Sequence, residues 1–228
     1  SRQFMVMLQH YIDATQQLPP TVDLVLWPET VVPTFMLEGP LFQSLLQQTL
    51  AERPMQLLLG MPVRGTERHY FNAAALLDRR GLRDQYHKTN LVPFGEYVPL
   101  RRYLGWLFAD TAYLQDDYSP GINWQPLESQ LGRVGPMICF ESTLPQLARR
   151  QRRAGADWLL VLTNDAWFLD SAFARMHLQM SRWRAVEQRR WLLFSANTGI
   201  SAVVDASGGV LAALSLGKPG QIVYHFAQ

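Results

Sequence analysis

The sequence predicts an α/β domain in which helices cover a mixed β-sheet, and three observations carry that expectation. Apolar runs of strand length and runs with helical spacing follow one another in irregular order, a pattern of neither an all-α nor an all-β chain. Arg79-Arg80-Gly81 reads as a turn between two strand-like runs, so hairpins accompany the helix-linked strands and antiparallel pairs must sit beside parallel ones. The chain has 228 residues, 48% hydrophobic and 18% charged, which is enough for one sizeable core and simplest as one domain.

From Phe4 to Gln17, Phe4, Met7, Leu8, Tyr11 and Ile12 recur at helical spacing. The apolar run Leu24-Val25-Leu26-Trp27 then meets Pro28, which has no N–H for a ladder, so a strand ends near Trp27 and leaves Glu29 at a sheet edge or rim. Leu41 to Leu50 repeats Leu41, Leu45, Leu46 and Thr49 as a helix that Pro54 stops. Met55 to Val63 and Tyr70 to Leu77 read as strands, and a third runs from about Leu82 to Lys88. Leu131 to Cys139, Trp158 to Leu162, Trp191 to Ala196, Ile200 to Val204 and Ile222 to Phe226 are further strands; helices fill Leu144 to Arg153 and Ser171 to Arg189. In the last helix Phe173, Met176, Met180, Trp183 and Glu187 share one face, a stripe expected to enter the core, with His177 and Glu187 as buried structural partners.

No stretch approaches the roughly 18–20 apolar residues that span a bilayer, so the sequence taken literally is soluble. A net charge of +2, without a basic aromatic face, removes the electrostatic case for nucleic acid. His177 and Glu187 lack metal-ligand spacing, and no metal is expected. One cysteine excludes an intramolecular disulfide.

That cysteine, Cys139, closes the run Val134-Gly135-Pro136-Met137-Ile138 and leads at once into a helix-like stretch. A strand that turns directly into a helix lifts its terminal side chain out of the sheet and aims the next backbone N–H groups at whatever reacts there. A lone cysteine is commonly a small buried hydrophobe, Glu29 alone could be a loop acid, and Lys88 alone a solvated strand-end charge. Their common position at strand ends, where α/β proteins build sites, is what singles them out.

In the order Glu29, Lys88, Cys139, the chain resembles the carbon–nitrogen hydrolase (nitrilase) superfamily with its Glu-Lys-Cys triad. A glycine four residues before the cysteine, the Ile-Cys-aromatic-Glu core and the Tyr-x-Lys at a strand end carry the resemblance. Trp27-Pro28-Glu29-Thr30, Leu91 to Leu100 and Thr163-Asn164-Asp165-Ala166-Trp167-Phe168 are similar to one branch, the apolipoprotein N-acyltransferases, from about Asp23 to Gly209.

The resemblance implies an α-β-β-α sandwich of two mixed sheets flanked by helices, a strand ahead of the first helix, and membrane-spanning helices around the domain, all three outside composition's reach. It places the domain on the periplasmic side of a bacterial inner membrane. It implies acyl transfer from a phospholipid, through a thioester on Cys139, to the α-amino group of the N-terminal cysteine of a diacylated apolipoprotein, with no cofactor. Glu29 would be the base; Lys88 and the backbone N–H of Phe140 would hold the oxyanion, such donors being worth about 2.7–4 kcal/mol each. Glu96 and Glu141 match further family acids, although Glu141 could equally cap the helix beginning nearby. Phe140 stands where the family commonly has tyrosine, and Leu169 where it has glycine. Trp106 and Phe108, in an aromatic stretch between Glu96 and the cysteine strand, read either as an acyl-holding lid or as a helix packed on the core, and Trp167 and Phe168 join them as substrate-binding candidates. The competing readings are a soluble amidase using the same triad with water as acceptor, and a non-catalytic module that keeps the fold.

Overall fold

The computed structural model describes residues 2–31, 39–51, 53–66, 69–101, 117–168 and 172–226, and in it the apolar runs sort into two sheets rather than one. The first is built in the order β1-β2-β3-β4 from β1 (Leu24–Trp27), β2 (Gln56–Arg64), β3 (Tyr70–Asp78) and β4 (Gly81–His87). The second contains β5 (Leu127–Ser129), β6 (Gly132–Ile138), β7 (Trp158–Thr163), β8 (Leu192–Ala196), β9 (Ser201–Val204) and β10 (Val210–Leu214), in the order β10-β9-β8-β7-β6-β5. Both are mixed. β1 pairs parallel with β2 and β6-β7-β8 are parallel, whereas the remaining pairs are antiparallel.

Helices α1 (Arg2–Gln16), α2 (Pro40–Ala51), α3 (Pro145–Arg153) and α4 (Ala172–Gln188) complete the layers. Helix α3 crosses from β6 to β7 and α4 from β7 to β8, the long connections that parallel neighbours require. Apolar side chains separate into three clusters. Leu8 and Ile12 of α1 meet Leu57, Leu59 and Met61 of β2; Leu58 and Leu76 of the first sheet meet Ile138, Leu160 and Leu162 of the second; Leu147 of α3 and Leu178 of α4 meet Leu159 and Val161. Successive residues of β2 and β7 therefore feed opposite clusters, so each strand is buried on both faces and reads as an unbroken apolar run. The result is the α-β-β-α sandwich.

Two expectations change, and one short strand is new. Ile222 to Phe226 is not a strand: Phe226 meets Trp191 edge-on and Tyr224 meets it tilted, and the edge position is taken by β10, which returns on β9 after a turn with Gly208 at φ +84°. Strand β5 has three residues, too few to register as a periodicity. In α4 the stripe points outward, with Phe173 59% and Trp183 62% exposed and Glu187 paired with Arg184 at the surface. The buried face is instead Ala174, His177, Leu178, Ser181, Arg184 and Ala185, because small residues let the helix approach the turn after β6 and hydrogen-bond to it.

One glycine is a contact requirement. Gly60 lies beside the end of β1, and a Cβ there would stand 2.5 Å from the Cα of Glu29. Gly60→Ala should therefore displace the Glu29 backbone and cost about 1–3 kcal/mol, the range for overpacking a tight core. Chemical denaturation reads this directly, and an unchanged midpoint would mean that the strand ends are not in fixed contact.

Candidate active site

The ends of the two sheets meet where three chain reversals coincide. Pro28 ends β1, and the Gly60 N–H donates to its carbonyl at 3.2 Å, keeping Glu29 against β2. Glu29 is 6% exposed; its Oε1 accepts from Asn72 Nδ2 at 2.7 Å, and its Oε2 accepts the backbone N–H of Asn164 at 2.8 Å. Asn164 follows β7 in the opposite sheet, so the carboxylate is held from both sides. Burial pushes the Glu29 carboxyl above its ordinary value, and Lys88 and the Asn72 bond offset this only in part.

Lys88 is one residue past β4, is 1% exposed and pairs through its N–H with the Asn72 carbonyl. Its Nζ lies 2.8 Å from Glu96 Oε2 and 4.0 Å from Glu29 Oε1. Burial works against the ammonium, but the carboxylates of Glu29 and Glu96 outweigh it and hold the lysine above its ordinary pKa. Asn72 Nδ2 also donates to Glu96 Oε1 at 2.8 Å, and Glu96 Oε2 accepts the Val92 N–H at 2.9 Å. Glu96 therefore anchors the lysine, and Asn72 bridges the two carboxylates.

Cys139 begins a 3-10 helix, Cys139–Thr143, directly after β6 and has φ +51°. A non-glycine residue in that region is strained, by of order 1–3 kcal/mol where the surroundings must impose it. The residue is partly exposed, and its thiol lies in the fields of Glu29, Lys88 and Asp165. Burial and then Glu29 push it up to about 12, Lys88 opposing. The charge arrangement agrees: one ammonium already faces two carboxylates, so a resting thiolate would leave a second uncompensated negative charge.

Glu141, two residues on, is fully buried and neither a loose helper nor a simple cap. Oε2 accepts the Ile138 N–H at 2.8 Å, which does cap the 3-10 helix. Oε1 reaches the other sheet, where it accepts from Tyr86 Oη, the Thr89 N–H and hydroxyl, and the Asn90 N–H at 2.8–3.0 Å. One carboxylate thus fastens the turn after Lys88 to the turn at Cys139. Phe140, between them, is 43% exposed.

Of the substrate-binding candidates, Trp106 and Phe108 lie outside the described residues, as does Leu169. Trp167 and Phe168 end the 3-10 helix Asp165–Phe168 that follows Asn164. Asn72, Asn164, Thr163 and Asp165 escaped sequence reasoning as site residues. Asn72 did leave a signal, since an asparagine inside the apolar run Tyr70 to Leu77 is a buried polar group that needs partners. Among the described residues no cluster has the composition to hold a metal, and no helix is long and apolar enough to cross a membrane.

The carbon–nitrogen hydrolase family model matches residues 1–227. The apolipoprotein N-acyltransferase of Azotobacter vinelandii is 37% identical over 214 residues, covering 91% of this chain and 41% of that protein. That of Geobacter metallireducens is 36% identical over 192 residues, covering 82% and 37%. The chain thus spans about two fifths of the length of these relatives. Among solved structures, the carbon–nitrogen hydrolase of Helicobacter pylori G27 superposes with TM-score 0.72 at 16% identity, over 96% of this chain and 82% of that one. An amidase from Nesterenkonia superposes with TM-score 0.69 at 22% identity, over 95% and 82%.

Two outcomes follow from the geometry. Glu141→Gln puts an NH₂ among groups that only donate to the carboxylate, and it should destabilise the fold by about 3–5 kcal/mol, the range for breaking a buried charged network; a loss under about 1 kcal/mol in urea unfolding would refute the staple. Alkylation of Cys139 by iodoacetamide should quicken about tenfold per pH unit from pH 7 to 10, because the thiolate fraction keeps rising until the pKa is reached. Flattening near pH 9 would mean an ordinary thiol. The stability linked to this proton is fully present below the unfolded value of about 8.5 and is lost as pH climbs through about 12.

Proposed function

The chain belongs to the carbon–nitrogen hydrolase family, and from that membership and the cluster just described we propose that it is the catalytic portion of an N-acyltransferase that works through a cysteine thioester. The observation that carries the reading is a buried lysine ammonium held beside a partly exposed cysteine and a buried glutamate. The names of the relatives point to an apolipoprotein as acyl acceptor; we take a phospholipid as acyl donor and the α-amino group of the N-terminal cysteine of a diacylated apolipoprotein as the accepting group.

In the first half-reaction Glu29 takes the thiol proton while Sγ attacks the ester carbonyl carbon. A raised Glu29 pKa suits it to accept and return a proton, and a raised thiol pKa makes the base necessary at the moment of attack. The carbonyl π electrons pass to oxygen, and the Lys88 ammonium with the Phe140 N–H faces that oxyanion. Collapse breaks the ester C–O bond; the leaving alkoxide takes the proton from Glu29 and departs as lysophospholipid, with the acyl group on Cys139. In the second half the acceptor amine attacks the thioester, Glu29 takes the amine proton, and the thiolate leaves and regains it. This is ping-pong transfer. Glu96 and Asn72 touch no reacting atom in this scheme; they keep Lys88 and Glu29 in place. The membrane provides the donor and the periplasmic face of a bacterial inner membrane provides the acceptor.

Intact mass after mixing with phospholipid should show an acyl adduct on the parent chain and none on Cys139→Ala, which should fold normally yet lose turnover. Acyl transfer by a purified Cys139→Ala protein would end the mechanism, and release of free fatty acid in preference to transfer onto an amine would favour an amidase-type hydrolase. Trp106 and Phe108 are proposed to receive acyl chains. Replacing both with serine should lower activity on vesicles or micelles at least about tenfold more than on a short soluble thioester, since only the former draws on remote binding energy; equal losses would remove them from substrate binding.

A further inference from the structure

The carbonyl of Cys139 is tied into a buried polar network that the reaction above does not use. His177, on the inner face of α4 and 6% exposed, places Nε2 3.1 Å from the Cys139 carbonyl oxygen and 2.8 Å from Ser142 Oγ. Its Nδ1 is 3.1 Å from Asp165 Oδ1, an oxygen that also accepts the Thr163 hydroxyl at 2.8 Å. The hydroxyl of Ser142 bonds back to the Cys139 carbonyl at 3.0 Å, and Ser181 Oγ supports Ser142 at 2.9 Å. Asp165 is 1% exposed, and its Oδ2 sits in the room that Gly199 leaves, where a Cβ would collide with it.

We propose that His177, anchored by Asp165, is a positioning residue that holds Cys139 in its left-handed backbone conformation by donating from Nε2 to the Cys139 carbonyl. The hydrogen-bond requirements lead there. A carbonyl only accepts, so its contact with Nε2 needs a proton on that nitrogen; a carboxylate only accepts, so its contact with Nδ1 needs a second. The two ring nitrogens thus each face a fixed partner, the Cys139 carbonyl at Nε2 and the Asp165 carboxylate at Nδ1. The strain at φ +51° supplies the reason for the clamp: without a donor fixed on the carbonyl, the residue gains by relaxing toward negative φ, and Sγ turns from Lys88 and Glu29.

This rests on Cys139 being the nucleophile, but its test does not require acyl transfer, because Cys139 is the sole cysteine and alkylation reports it alone. Glutamine places a carboxamide N–H where Nε2 stands, and asparagine where Nδ1 stands, so the two substitutions separate the carbonyl bond from the Asp165 bond. His177→Gln should alkylate within about threefold of the parent at each pH. His177→Asn should be slower by at least about tenfold at pH 8, its pH profile displaced upward as the thiol loses Lys88; misplacement of about 1 Å is worth that much. The charged groups facing the thiol throughout are Glu29, Lys88 and Asp165. Equal rates for the two variants would make His177 a packing residue and overturn the proposal. If His177→Asn does not fold, His177→Gln decides: a rate near the parent's upholds the clamp, and a tenfold loss overturns it.

Discussion

A lysine ammonium buried to 1% exposure is the constraint around which the site is organised. Taking such a charge out of water costs several kcal/mol, and the cost is met only where opposite charges with good geometry surround it. Here Glu96 makes the close pair at 2.8 Å, Glu29 stands at 4.0 Å, and Asn72 donates to both carboxylates. Each of these arrives from a different part of the first sheet or its loops. A chain that could not bring them together would have to discharge the lysine, and with it the positive field beside the thiol.

The second constraint is mechanical. Two carboxylates cross between sheets at this end of the sandwich: Glu141 from the turn after β6 to the turn after β4, and Glu29 from the end of β1 to the backbone after β7. The apolar layer between the sheets would allow small slips, being non-directional. Directional bonds to backbone N–H groups do not, and they fix the distance between strand ends to hydrogen-bond tolerance. Chemistry that needs a base, a cation and a nucleophile in one place depends on that.

The reactivity of Cys139 is therefore held in reserve. Burial and neighbouring acids keep it a thiol, and under the proposed mechanism the proton moves only when a base is poised as the bond forms. Lys88, trapped between carboxylates, cannot neutralise the thiolate fully at rest, yet in the proposed mechanism it is fixed where negative charge develops. Preorganisation of this kind is bought by folding, in the buried network, rather than at each turnover.

By itself the sequence determined the strands and helices that punctuation and apolar period define, and it marked Glu29, Lys88 and Cys139 because each follows closely on a strand stop: Trp27 before Pro28, His87 before Lys88, Ile138 before the helix turn. Local rules act over a few residues, and these signals are local. What only tertiary structure decided is which groups those ends meet. Asn72 is 43 residues from Glu29 and Asn164 is 135, so no period or spacing links them. The split into two sheets likewise depends on which face of β2 and β7 finds which partner, and both faces are apolar. Helix α4 shows the limit most plainly: its apolar stripe and its small, polar stripe have the same period, and the second was buried because close approach and hydrogen bonds to the turn at Cys139 outweighed the area the larger side chains would have hidden.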